Sequence, residues 1–124
     1  NVIDTTSTTQ TAEPKVKPKP KPVATPKLTS KEQIMTAAGI PKNEWAAVDY
    51  IISHESGWRH TVWNTAGSGA YGLCQSLPAS KMSSAGSDYK TNPVTQMKWC
   101  NSYAKARYGG WWSAQAFWQS NNWW

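Results

Sequence analysis

Residues 45–57 read WAAVDYIISHESG, and this stretch decides the fold. Apolar side chains recur in it at helical spacing, at Trp45, Val48, Ile51 and Ile52. We expect a helix over residues 43–56, with Gly57 as a natural residue to end it. A helix with such a stripe buries it against other helices, so the predicted fold class is mainly α.

Glu55 lies on the apolar stripe, because it follows Ile51 by four residues and Ile52 by three. Burial there opposes ionisation of the carboxyl group, and so does the negative end of the helix dipole. Both effects raise the pKa and favour a protonated acid near neutral pH, as general acid catalysis requires. The structural alternatives are a salt bridge from Glu55 to Arg59 or Arg107, or a position at the rim of the apolar face.

A second carboxylate, which most glycosidases use, is not evident in the sequence. Asp49 lies six residues before Glu55, about 120° away around the helix, so the two cannot easily share a substrate. Asp88 falls in a predicted loop and stays open as a partner. One good carboxyl group without an obvious partner fits substrate-assisted chemistry, in which a neighbouring N-acetyl group acts as the nucleophile.

Other reactive side chains form weaker patterns. His54 and His60 have no acidic pair nearby and make a poor set of metal ligands. Ser56 lacks a plausible triad order, and a thiol nucleophile at Cys74 beside His54 has little support. We therefore expect no metal and no cofactor.

The remaining segments predict short helices separated by glycine-rich loops. Ser30 and Gln33 suggest a capping box that begins a first helix, which reaches about Ala38. The other predicted elements are a small hairpin around residues 63–71, a helical turn near 78–84, a helix over 93–107 capped by Asn92, and a last helix over 114–119.

The first thirty residues differ in composition from the rest. They hold most of the prolines and no aromatic residue, whereas every aromatic side chain lies between Trp45 and Trp124. Such a segment cannot bury enough apolar surface to offset its ordering entropy. We expect residues 1–30 to be a disordered Lys/Pro linker and residues 31–124 to be the folded domain. Residues 14–22, PKVKPKPKP, are typical of an extended polyproline II spacer.

The net charge of +6 suits an anionic partner. Nucleic acid, anionic lipid and acidic wall polymers all qualify. The folded part has only Arg59 and Arg107 as arginines, which argues against groove reading of nucleic acid. No apolar run approaches membrane-spanning length, so we expect no membrane span.

Two cysteines, Cys74 and Cys100, are present. A disulfide between them would close a loop of about 26 residues, contribute roughly 3–3.5 kcal/mol and indicate an oxidising compartment. Two reduced, buried thiols are the alternative, and the sequence leaves both open.

Nine tryptophans are a high number for a domain of this size. We expect some of them in the core, especially Trp45 and Trp99, which lie at helical spacing. Trp63 and Trp118 are candidates to stack on sugar rings, since indole suits either environment.

Two motifs give the chain a resemblance to a known family. Residues 55–58 read ESGW, and after a glycine-rich loop residues 70–75 read AYGLCQ. This resembles the soluble lytic transglycosylases and their relatives with a goose-type-lysozyme-like core, which have Glu-Ser at a helix end and Gly-Leu-Met-Gln after it. Residues 92–97 and 103–124 are similar to the small versions in Gram-positive secreted proteins and phage tail proteins.

The resemblance covers nearly all of residues 31–124 and implies roles for single residues. Glu55 matches the catalytic glutamate, and Ser56 matches the serine that supports the site. The segment that lines the substrate cleft is matched by Gly72, Leu73 and Gln75.

The chain departs from the family at two places. Cys74 stands where Met is usual, which implies a packing residue that gained a disulfide to Cys100. The family's Ala-Tyr-Asn is replaced by QAFWQ at residues 115–119, so a phenol near the glutamate is missing there. Tyr71 or Tyr103 can substitute for it, or Trp118 only lines the site.

The function that the resemblance implies is cleavage of the MurNAc-(β1,4)-GlcNAc bond of bacterial peptidoglycan by a lysozyme-like domain. Glu55 acts as acid and then as base, and the product carries 1,6-anhydro-MurNAc. A hydrolytic muramidase and an inactive wall-binding or surface module are the alternatives. The expected partners are glycan strands and, through the basic linker, anionic wall polymers. We expect a monomer that acts outside the cell, at the wall or on a phage particle.

Overall fold

The computed structural model describes residues 28–64 and 66–124 as a mainly helical chain, which confirms the mainly α class. Its elements are α1 (Ser30–Ala37), a first 3-10 turn (Lys42–Glu44), α2 (Trp45–Glu55), a second 3-10 turn (Ala79–Ser84), α3 (Pro93–Tyr108) and α4 (Trp111–Asn121). Most of the predicted linker, residues 1–27 with the polyproline segment, lies outside the described residues. None of the helices in the described part is both long and apolar enough to cross a membrane.

Helix α2 holds the centre of the core. Its side chains Val48, Ile51 and Ile52 are completely buried, as the stripe predicted. Burying side chains of this size contributes roughly 1.5–3 kcal/mol each. Helix α2 packs against α4, and α3 packs against both α1 and α4. The last residue of α2, Glu55, is therefore fixed in position by the core.

The tryptophan at the centre of the core is Trp111, which is fully buried and donates from its Nε1 to Asn101 Oδ1 at 2.9 Å. Trp45 and Trp99 are half-buried and pack against the edge of the core. The expectation that Trp45 and Trp99 in particular belong to the core is therefore met only in part, and the fully buried tryptophan is Trp111. Spacing along one helix could not show which indole the other helices enclose.

Helix α4 begins at Trp111, earlier than the predicted start after Ser113. The preceding residues, Gly109 and Gly110, have φ values of 86° and 146°, which glycine alone adopts readily. The turn between α3 and α4 takes only these two residues. Helix α4 therefore begins directly after it, and its first residue, Trp111, is buried in the core.

The capping box of α1 is formed by Thr29 and Glu32, and the prediction of Ser30 and Gln33 is wrong by one residue. The Thr29 hydroxyl accepts from Glu32 N at 3.2 Å, and the Glu32 carboxylate accepts from Thr29 N at 3.0 Å. Gln33 instead donates to Leu28 O. Both pairs have the same spacing, but only the first includes a carboxylate, which benefits from the positive end of the helix dipole.

The start of α3 and the turn region are close to the predictions. The Asn92 side chain accepts from Val94 N at 2.9 Å, and Pro93 is the first helical residue. The predicted hairpin is reduced to isolated antiparallel bridges, from Tyr71 to Trp63 and to Ser76. Among the described residues, this loop region contains these bridges but no strand of several residues.

Cys74 and Cys100 form a disulfide, with their Cα atoms 6.2 Å apart. The bond joins the segment after the glycine-rich loop to the middle of α3. Of the two alternatives that the sequence left open, the oxidised one is present.

The fully buried amide of Gln96, on α3, connects three loop segments. Its Oε1 accepts from Leu73 N at 2.9 Å, and its Nε2 donates to His60 O and Tyr89 O, both at 2.8 Å. Because buried backbone groups need partners, this one side chain satisfies a group in each segment and holds the segments in register. We call this set of contacts the Gln96 junction.

Replacing Gln96 by methionine, a side chain of similar length, should leave all three backbone groups of the junction without partners. We expect the free energy of unfolding to fall by about 2–4 kcal/mol, measured by urea denaturation. Gln119→Met, at an exposed position of α4, is the control and should change stability by less than about 0.5 kcal/mol. Equal stability of the two variants would contradict a structural role for the junction.

Candidate active site

Glu55 is the last residue of α2, and its half-buried carboxyl group faces an open pocket. We call this the glutamate pocket. Its other lining residues are Arg59, Val62, Trp63, Asn64 and Gln75. The site thus combines one carboxyl group, one cation, two amides and the indole of Trp63. The Trp63 residue is 53% exposed.

Trp118 of α4 is hydrogen-bonded directly to the glutamate. Its Nε1 donates to Glu55 Oε2 at 2.8 Å. The indole is held by two rings of α2, the edge of Tyr50 at 5.7 Å and His54 at 4.5 Å between centroids. This packing fixes the N–H in its direction toward the carboxylate.

The hydrogen-bond donor at the Glu55 carboxylate is thus an indole N–H and not a phenol. Of the three aromatic candidates, Tyr71 donates its hydroxyl to Lys90 O at 2.7 Å, on the other side of the loop region. Tyr103 lines a different pocket. Trp118 alone among them bonds to Glu55, and it is not one of the residues that line the glutamate pocket.

Burial raises the pKa of Glu55, while the hydrogen bond from Trp118 and the nearby His54 act in the opposite direction. Burial is the largest effect, so the pKa lies above its ordinary value, as the helix position predicted. The salt-bridge alternative is not realised, since neither Arg59 nor Arg107 forms an ion pair with Glu55 among the described residues.

Neither of the two aspartates considered as partners lines the glutamate pocket. Asp49 accepts from Trp58 Nε1 at 2.7 Å and from Ser53 Oγ at 3.1 Å, and it pairs with Lys31. Asp88 accepts from Thr95 and Asn92 at the start of α3. Both carboxylates thus have structural partners, and among the described residues Glu55 is the one carboxyl group in this pocket.

Ser56 and Leu73 lie beneath the pocket and support it. Both are buried, and the Ser56 hydroxyl donates to Leu73 O at 2.7 Å. This bond ties the end of α2 to the Gly-Leu-Cys-Gln segment, which the Gln96 junction holds from the other side. The serine and leucine of the two motifs are therefore buried and do not line the pocket themselves.

Gly72 is required by its surroundings as well as by its backbone. Its φ is 82°, and a Cβ at this position would lie 2.5 Å from Gln96 Oε1. Only glycine allows the segment to approach the buried amide so closely. Any larger residue would displace the amide or the wall of the glutamate pocket.

Gln75 stands between two pockets. Its φ is 55°, uncommon for a residue with a side chain, and its Nε2 donates to Gly72 O at 2.9 Å and Val62 O at 3.3 Å. One side of Gln75 lines the glutamate pocket, and the other lines a second cavity. The remaining walls of this aromatic pocket are Cys74, Ser76, Leu77, Lys81, Trp99, Tyr103 and Trp124.

The structure therefore divides the predicted site residues into three groups. Glu55, Trp63 and Gln75 line the glutamate pocket, and Trp118 bonds to the Glu55 carboxylate without lining the pocket itself. Tyr103 belongs to the aromatic pocket. Tyr71, whose ring is tilted against that of Trp63 with the centroids 4.4 Å apart, is buried together with Ser56, Gly72 and Leu73.

The lining also includes three residues that the sequence does not indicate as site residues, Arg59, Val62 and Asn64. The sequence suggests Arg59 only as an ion-pair partner of Glu55. A signal for Arg59 was present, since it lies four residues after Glu55, just beyond the predicted end of the helix. The turn that returns it to the pocket depends on positive φ at Gly57 and Trp58, and Trp58 gives no such signal.

Three or more His, Cys, Asp or Glu side chains do not come close enough to hold a metal ion anywhere in the described residues. The chain matches no protein-family model, no curated protein and no solved structure. The chemistry of the site is therefore inferred from its geometry.

Replacing Trp118 by phenylalanine should raise the pKa of Glu55 further, because the N–H that stabilises the carboxylate is lost while the ring still excludes water. Titration of the side-chain carboxyl carbon by NMR measures this directly. Trp112→Phe is the matched control on α4, since the Trp112 indole donates to Asn43 O and should leave the pKa of Glu55 unchanged. An unchanged or lower pKa in Trp118→Phe would contradict the assigned contact.

Glu55→Gln and Asp49→Asn should have opposite effects on stability at neutral pH. Ionised Glu55 costs stability once pH exceeds its raised pKa, so Glu55→Gln should melt above wild type at pH 7, with the difference vanishing as pH falls through that pKa. For Asp49, burial opposes ionisation, but the bonds from Trp58, Ser53 and Lys31 outweigh it and lower the pKa. Asp49→Asn should therefore melt below wild type at pH 7 and converge with it in acid.

Calorimetric melting curves of wild type and both variants at several pH values test this pair. A Glu55→Gln protein that is less stable than wild type at pH 7 would show that the ionised carboxylate is favourably solvated. That result would contradict the conclusion that burial raises the pKa of Glu55.

Proposed function

We propose that this chain is a lysozyme-like peptidoglycan lytic transglycosylase, related to the soluble lytic transglycosylases, that cleaves the MurNAc-(β1,4)-GlcNAc bond. The observation that carries the proposal is the single half-buried carboxyl group of Glu55 in an open pocket, with the Trp118 N–H 2.8 Å from its Oε2. The lysozyme-like relationship rests on the Glu-Ser and Gly-Leu-Cys-Gln motifs, which the Ser56–Leu73 hydrogen bond joins.

The two influences on Glu55 suit the two halves of a reaction in which one group is first an acid and then a base. Burial favours the protonated form, which can donate a proton to the oxygen of the glycosidic bond. Once the proton has left, the Trp118 N–H stabilises the carboxylate by a charge-assisted hydrogen bond. The group can then accept a proton in the second step.

The described residues that line the pocket include no carboxylate besides Glu55. This favours a mechanism in which a group of the substrate itself acts as the nucleophile. As Glu55 protonates the leaving oxygen, the bond from that oxygen to C1 of MurNAc breaks, and the neighbouring acetamido group stabilises the cationic centre. Glu55 then removes the proton of the MurNAc C6 hydroxyl, whose oxygen bonds to C1. The products are a free GlcNAc 4-hydroxyl and a 1,6-anhydro ring, and Glu55 is protonated again.

Other features of the chain support a saccharide polymer outside the cell as substrate. The pocket is open, and the exposed indole of Trp63 at its rim offers a flat surface on which a sugar ring can stack. The disulfide fits an oxidising compartment, and the net charge of +6 favours an anionic wall.

Glu55→Gln should abolish release of soluble muropeptides from purified peptidoglycan, because the amide can neither donate nor accept the proton at useful rates. General acid–base catalysis contributes about 10²–10⁴-fold, so a loss of at least that size is expected. Asp49→Asn, about 120° away around the same helix, is the control and should keep wild-type activity. Mass spectrometry of the products identifies the 1,6-anhydro ends.

The outcomes separate the possible functions. Anhydro ends produced by wild type and not by Glu55→Gln would support the proposal and its residue together. Reducing ends would identify a hydrolytic muramidase that uses the same acid. No release by wild type, with both proteins bound to the wall, would leave a wall-binding module and end the catalytic proposal.

A further inference from the structure

Arg59 is an exposed cation beside Glu55 that the proposed mechanism does not use. After α2 the chain turns back through Gly57 and Trp58, with φ values of 62° and 66°. The turn brings Arg59 to the wall of the glutamate pocket, where its Nε donates to Ser56 O at 3.0 Å. Its guanidinium is therefore anchored at one edge to the residue that follows the glutamate.

The terminal nitrogens of Arg59 remain available for a ligand. Among the described residues, they have neither a hydrogen-bond partner nor a carboxylate within ion-pair distance. The other two cations with clear contacts are already engaged, since Lys31 pairs with Asp49 and Arg107 lies over aromatic rings such as Tyr108. An anchored guanidinium with a free fork has the geometry that binds a carboxylate through two parallel hydrogen bonds.

The charge balance of the pocket also favours an anion. When Glu55 is protonated for the first step, Arg59 is the one charged residue among those that line the pocket. A neutral sugar chain would gain nothing from this charge. A saccharide that carries a carboxylate next to the bond to be cleaved would gain both affinity and a fixed position.

We propose that Arg59 forms an anion subsite of the glutamate pocket, which binds a carboxylate carried by the saccharide. This inference rests on the proposed function and assigns to Arg59 the binding of the substrate's carboxylate, which a neutral polymer of N-acetylglucosamine lacks. In peptidoglycan the carboxylate can belong to the lactyl ether of a peptide-free MurNAc or to the stem peptide attached there. Arg59 acts on specificity and position, while Glu55 performs the chemistry.

Binding measured on the Glu55→Gln protein, which does not turn over substrate, tests the subsite. The probes are the tetrasaccharide (GlcNAc-MurNAc)2 with free lactyl carboxylates, the same tetrasaccharide with stem peptides, and neutral (GlcNAc)4, measured by calorimetry. We expect an acidic tetrasaccharide to bind about tenfold tighter than (GlcNAc)4, the size of one charge-assisted contact. Which acidic probe binds tighter identifies the source of the carboxylate.

Adding Arg59→Met should remove this preference by weakening the acidic probe about tenfold, while the affinity for (GlcNAc)4 changes less than about twofold. Arg59→Lys keeps the charge without the fork and should retain part of the preference. Lys81→Met, in the neighbouring aromatic pocket, is the control cation and should leave the preference intact. Circular dichroism verifies that each variant is folded.

A preference that survives Arg59→Met, or that disappears with Lys81→Met instead, would overturn the subsite. Equal binding of acidic and neutral probes by the parent protein would do the same. These binding results do not test the proposed function. The release of muropeptides by the wild-type protein tests it separately. Wild-type cleavage with an unaffected Arg59→Met would keep the enzyme and discard the subsite.

Discussion

The three-way hydrogen bonding of the buried Gln96 amide is the constraint on which the site depends. A small helical domain with long loops has little apolar surface to order those loops, so polar contacts must do it. The amide fixes the loop after α2 at His60, the Gly-Leu-Cys-Gln segment at Leu73, and the loop before α3 at Tyr89. Gly72 is the reciprocal requirement, because any side chain there would occupy the space of the amide oxygen. The disulfide from Cys74 to α3 holds the same segment by a covalent bond.

The catalytic candidate lies where this loop framework meets the helical core. Helix α2 is fixed by its buried stripe, and Ser56 bonds its end to Leu73. Helix α4 then supplies the indole N–H of Trp118 to the carboxyl group. Burial and this single donor act in opposite directions on the pKa of Glu55. Opposing influences of this kind leave both protonation states accessible to the group, whereas a full ion pair would hold it ionised.

Asp49, Glu55 and Arg59 differ in the contacts that their charged groups make. Asp49, only six residues away on the same helix, is stabilised as an anion by Trp58, Ser53 and Lys31 and supports the fold. Arg59 is anchored through one nitrogen and directs the rest of its guanidinium to the pocket. One short stretch of chain therefore carries a carboxylate held in structural hydrogen bonds, a half-buried carboxyl group with a raised pKa and a guanidinium anchored through one nitrogen. In the proposed function the second of these is the acid and the third binds the substrate. The contacts of each group, and not its residue type, distinguish these roles.

The sequence by itself determined the helical class, the buried stripe of α2, the Asn92 cap of α3 and the placement of Glu55 on the apolar face. These follow from periodicity and local hydrogen bonding, which act over a few residues. Only the tertiary structure decided that Trp118 bonds to Glu55, that Trp111 is the central tryptophan, that Tyr103 lines another pocket and that Arg59 returns to the site. Trp118 is separated from Glu55 by 63 residues, and such a contact depends on how α4 packs on α2. Local spacing records which face of a helix is apolar, but it carries no information on which distant side chain will meet that face.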